Sequence, residues 1–145
     1  MATGFTDVSL SVPRTQVLPE TEQPGDSPPL GPMLAEVTNA VVGLHRTHYG
    51  KGPTRSKSYL MDDVLICVMR EVLTTVERTL IEAGEVERVR DTRLAFQDAM
   101  QDVFKAAVEQ ILGRRVLGYT SQVLVDEAVA IELFVLGPEE LSAGE

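Results

Sequence analysis

His45 and His48 lie three residues apart at the end of a helical pattern, and Asp62-Asp63 follows in a short acidic turn. Imidazole nitrogen with carboxylate oxygen is a usual zinc donor set, so these four residues are the metal-ligand candidates. The spacing alone is weak, because helix-end histidines more often meet solvent or cap the helix. A metal-dependent enzyme is thus the least supported reading, and no cofactor is expected. Cys67 lies inside the apolar run Val64-Leu65-Ile66-Cys67-Val68-Met69, where a thiolate would be costly, so it reads as a small core residue rather than a nucleophile.

A second chemistry is anion binding. No acidic residue falls between Val37 and Met61, whereas Arg46, Lys51, Arg55 and Lys57 crowd there beside the two histidines. Gly50 and Gly52 could add backbone amides, as glycine-rich turns do for phosphate or carboxylate groups. The candidate binding residues are therefore Arg46, Gly50, Lys51, Gly52, Arg55 and Lys57. A structural role competes: cations complement the dipole at a helix C-terminus, and charged edge strands resist aggregation. Tyr49-Gly50-Lys51-Gly52-Pro53 only superficially resembles a P-loop. A Walker motif needs glycine where His45 stands, Ser or Thr after the lysine, and a preceding strand.

The elements that must position these residues follow from periodicity. Leu34, Val37, Val41 and Leu44 recur at helical spacing from Pro32 to about His48, and Gly50, Gly52 and Pro53 then force an extended segment. Strands are expected over Arg55 to Leu60 and Val64 to Arg70 around the turn Met61-Asp62-Asp63. Thr74-Thr75-Val76-Glu77 matches a capping box, so a second helix starts there. Gly84 could interrupt it before the long stripe Val89, Phe96, Met100, Val103, Ala107 and Ile111, which Gly113 ends. Glu82, Glu85, Glu87 and Asp91 alternate with Arg78, Arg88, Arg90 and Arg93, which predicts a solvated face. Strands Val116 to Val125 and Val129 to Leu136 close the chain around Asp126-Glu127-Ala128. The expected fold class is α+β, in the order α-β-β-α-β-β, with a four-stranded, mainly antiparallel sheet packed on helices.

Of 145 residues, 13 are Lys or Arg and 22 are Asp or Glu, for a formal net charge of -9, which argues against non-specific nucleic-acid binding. Six of eight prolines precede Met33, so residues 1–32 read as a disordered proline-rich tail, with Phe5 to Val12 as its one strand-like stretch. Residues 33–137 form the expected domain and 138–145 an acidic, frayed end. A signal peptide and a membrane span are not expected, and the lone cysteine suits a reducing, cytoplasmic setting. The run from Val64 to Met69 is apolar at every position, and Val129 to Leu136 is broken only by Glu132. Both sheet faces therefore read as dry, and a homodimer is expected to cover the face that two helices leave open. The competing arrangement splits the long helix at Gly84 and lays its halves on both faces.

Three further runs carry a resemblance: Glu36-Val37-Thr38-Asn39-Ala40-Val41-Val42, the Tyr49 to Pro53 turn, and Leu73-Thr74-Thr75-Val76-Glu77-Arg78-Thr79-Leu80. With the closing Val129 to Leu136 strand, they are similar to the MpsC-type family, named for a component of a Na+-translocating membrane-potential-generating system. The resemblance covers about Met33 to Leu136. It implies a non-enzymatic accessory domain of a Na+-translocating or bicarbonate-linked membrane system, peripheral to the membrane through an integral membrane partner subunit. It implies no established active site. The family turn is often Gly-Arg-Gly-Pro, and Lys51 keeps that charge without the planar fork. Ser121-Gln122 stands where some relatives carry an acidic residue, which weakens a cation-coordinating role there. The alternative function is a homo-oligomeric regulatory module that binds a small anion or an acidic partner through the basic segment 45–57.

Overall fold

The computed structural model describes residues 30–139. The proline-rich stretch before Leu30, with the Phe5 to Val12 strand suggestion, and the last six residues lie outside the described part. Helix α1 (Leu30–Tyr49) leads into strands β1 (Arg55–Met61) and β2 (Val64–Arg70). Helices α2 (Thr75–Glu82) and α3 (Val86–Leu112) follow, then β3 (Val116–Leu124) and β4 (Val129–Leu136). The fold is α+β, with one antiparallel sheet in the order β1-β2-β4-β3.

Local chemistry sets the boundaries. Met61 pairs with Val64, so only Asp62-Asp63 turns the first hairpin, and Asp62 takes a left-handed φ of 53°. The capping box forms: the Glu77 amide donates to Thr74 Oγ1 at 3.1 Å, and the Thr74 amide donates to Glu77 Oε1 at 2.9 Å. Gly84, at φ 82°, splits the second helical stretch into α2 and α3, because a left-handed residue cannot continue a right-handed helix. Gly113, at φ 70°, closes α3 with its amide on Glu109 O.

The core lies between the helices and one face of the sheet. Leu65, Cys67 and Met69 of β2 and Ala130, Phe134 and Leu136 of β4 point into it, against Val37 and Val41 of α1 and Phe104 and Val108 of α3. Thr38 of α1 meets Ser58 of β1, and the Ser121 amide of β3 donates to Gln97 of α3, so α1 and α3 cover the same face. The chain does break at Gly84, yet α2 does not cross to the far face: Glu77 pairs with Arg93 of α3, and Ile81 packs on the same core. Among the described residues, no helix lies on the opposite face. That face carries the half-buried Val64, Ile66, Val68, Ile131 and Leu133, with Tyr59, Met61, Leu124 and Val135 exposed.

Candidate functional site

Strand alternation divides the basic segment. Ser58 faces α1, so its neighbours Arg55, Lys57 and Tyr59 project from the open face. Register then places Arg70 directly across from Arg55. Arg55, Lys57, Tyr59, Val68 and Arg70, with Thr54, line a shallow pocket of about 530 Å³. Like charges directly opposite one another on adjacent strands are destabilising, and none of the ion pairs among the described residues includes Arg55, Lys57 or Arg70. Lys57 Nζ instead lies 5.5 Å from the Tyr59 ring centre. This corner can take carboxylate, phosphate or another negatively charged group.

The other residues of the basic segment stay at the joint between α1 and β1. The Gly50 amide donates to Arg46 O at 3.0 Å, and Gly50 holds φ 79°. The Arg46 guanidinium lies over Gly52, 2.9 Å from where a Cβ would stand. Lys51 is half-exposed in the loop. Arg46 and the two glycines thus form a turn, and Arg55 and Lys57 belong to the sheet face. Arg70 is not visible as part of this corner in the linear sequence because it comes from the next strand, although a two-residue hairpin turn fixes it opposite Arg55.

The metal-ligand candidates are scattered. His45 is buried, with Nε2 3.1 Å from Glu132 Oε2, and its ring stacks on Tyr49 with 5.3 Å between centres. His48 packs edge-on to Phe96. Asp63 takes Arg114 at 3.0 Å at the far end of the sheet. Among the described residues, no three His, Cys, Asp or Glu side chains gather as a metal site.

His45 belongs to a polar chain through the core that periodicity did not expose. Glu132 is 1% exposed and accepts from Tyr119 Oη at 2.5 Å and Ser121 Oγ at 2.8 Å. Burial, then the Glu132 carboxylate beside it, pushes the Tyr119 hydroxyl pKa far up. Tyr49 next to His45 is pushed up to about 12, chiefly by burial. The Arg93 guanidinium lies 4.2 Å from the Tyr49 ring centre and grips Glu77 through Nε at 2.7 Å and Nη2 at 2.8 Å. Burial alone would raise the Glu77 pKa, but the Arg93 and Thr74 hydrogen bonds outweigh it and hold the carboxyl below its ordinary value. The same pairing holds Arg93 above its ordinary value against burial. Arg93 therefore departs from the solvated face expected of that helix: it points inward because the capping-box glutamate of α2 waits there. Arg88 and Arg90 do stay exposed, paired with Glu85 and Glu87 at helical spacing.

Fold and surface together define a two-layer α+β domain with one bare, largely apolar sheet face and a basic corner. Among its described residues, no helix is long and apolar enough to cross a membrane. Residues 31–137 match the family model described as Na+-translocating membrane potential-generating system (MpsC), and the chain belongs to that family. Neither a curated protein nor a solved structure matches it.

Proposed function

We propose that this chain is a non-enzymatic accessory component of a Na+-translocating membrane-potential-generating system. It works as a homodimer on the cytoplasmic side, held to the membrane by an integral partner subunit that supplies the ion's passage. The family match carries this reading. The absence of a membrane-crossing helix among the described residues and the bare sheet face are what a component working through protein contacts would have. Affinity purification of the full chain from detergent-solubilised native membranes tests it. An integral membrane protein is expected in near-stoichiometric yield, and its absence would count decisively against the reading.

A second reading, regulation by a small anion, is favoured by one observation: Arg55 and Arg70 are register partners on adjacent strands, and none of the ion pairs among the described residues includes either of them. A thermal-shift series with phosphate, nucleotides and bicarbonate should then raise Tm, and R55A with R70A should remove the rise. No response to any of them would leave this reading without support.

A further inference from the structure

We infer that the bare sheet face is closed by a second copy of this chain, related by a twofold axis parallel to the strands, and that the copy's Asp126-Glu127 turn neutralises Arg55 and Arg70. This deepens the homodimeric part of the reading above and does not depend on the membrane role.

Register supplies the geometry. On the open face the residues fall into four rows across β1, β2, β4 and β3. The row at one end is Met61, Val64, Val135 and Gly118. The row at the other end is Arg55, Arg70, Val129 and Leu124. Tyr59, Ile66, Leu133 and Thr120 form one of the two rows between. Sheets that pack face to face run their strands nearly aligned, about 10 Å apart, which leaves two twofold axes to choose between. An axis across the strands would lay Arg55 and Arg70 over the apolar Met61 row, where desolvating them is costly. An axis along the strands keeps each row over itself and reverses its order, so β1 covers the copy's β3 and β2 covers its β4.

The second choice sets apolar ends against each other and Ile66 over the copy's Leu133. It also places Arg55 over the copy's Leu124 and Arg70 over its Val129. These are the two strand ends that the exposed Asp126-Glu127 turn joins. The two basic corners fall on opposite sides of the axis, so like charges stay apart. Charge complementarity and the matching of apolar rows thus favour the same arrangement. Four strands of seven to nine residues give a face of roughly 500 Å² in projection. Side-chain relief raises the area lost toward the roughly 800 Å² per partner of stable interfaces. The small-anion reading and this one compete for the same corner.

Sedimentation equilibrium of the full chain, with circular dichroism to monitor folding, tests the inference. The wild type should be a dimer at micromolar concentration. Ile66→Asp should give a folded monomer, and Tyr59→Asp, at an exposed position that a fold tolerates more readily, should weaken association in the same direction. Arg55→Glu with Arg70→Glu should weaken dimerisation by about tenfold or more, as should Asp126→Arg with Glu127→Arg, while combining all four should restore it. Asp62→Arg should leave it unchanged. A monomeric wild type, a dimer indifferent to Ile66→Asp and Tyr59→Asp, or a charge swap that fails to restore association would each overturn the inference. A monomer whose Tm rises with phosphate would hand the corner to the anion. Co-purification of a membrane subunit with a monomeric chain would keep the accessory role and remove the dimer.

Discussion

At the scale of single residues, the core is organised by two carboxylates that recruit cations or hydroxyls from other elements. Glu77 caps α2 and neutralises Arg93, so Glu77→Gln keeps the shape and leaves a buried guanidinium unpaired, at a cost of about 3 kcal/mol. Because the folded pKa lies below the ordinary 4.5, an unfolded chain takes up this proton first as acid is added. The stabilisation is therefore complete above about pH 4.5 and fades as pH falls through the lower folded value. Denaturant titrations should show the gap between wild type and Glu77→Gln narrowing on the acid side of that pH; a gap that stayed constant would remove the ion pair as its cause. Glu132 gathers His45, Tyr119 and Ser121 from α1 and β3. Glu132→Ala takes the carboxylate partner from buried His45 and from the half-buried Tyr119 and Ser121, and should cost about 3 kcal/mol, measurable as a lower denaturation midpoint.

At the scale of elements, the glycines that end helices carry the clearest consequence. Gly84→Ala forces a Cβ into φ 82°, although nothing lies within 4 Å of it, so the cost is conformational and close to 1 kcal/mol. A melting temperature lowered by roughly 5 °C is expected, and an unchanged one would mean the joint can relax. These joints are legible in the sequence because each depends on neighbours along the chain. The capping box, the stops at Gly50 and Gly113 and the β2 limits Val64 and Arg70 all stand as the residue pattern implied, and β1 gained only Met61. What stayed hidden depends on partners far along the chain. His45 looked like a helix-end histidine because Glu132, 87 residues later, is what buries it. Arg93 reads as solvated in the sequence because its row of alternating charges conceals a position that faces Glu77 of α2. Arg55 was visible as a cation, but its opposition to Arg70 needed the register of the hairpin.

At the scale of the whole molecule, Cys67 offers a single reporter of how the two layers separate. It sits in β2 beneath α1, buried, with Sγ 3.0 Å from Ser58 Oγ of the edge strand β1. Burial pushes the thiol up to about 11; the Ser58 hydrogen bond opposes this and nearby Glu132 adds to it. Both access and ionisation therefore protect it in the native fold. Strand β2 is bonded on both sides, to β1 and β4, and Cys67 faces the helical layer, so exposing it requires either global unfolding or a local opening that lifts α1, alone or with the edge strand β1. The contacts of α1 with Arg93 through Tyr49, and with Glu132 through His45, tie that helix to α3 and β4, which argues for the global route. Labelling by a thiol reagent should accordingly be slow in native buffer. It should accelerate with denaturant at the same slope as equilibrium unfolding measured by circular dichroism. Rapid labelling with a shallow slope would show that α1 lifts locally, alone or with β1, and that the polar chain through the core does not bind the layers together.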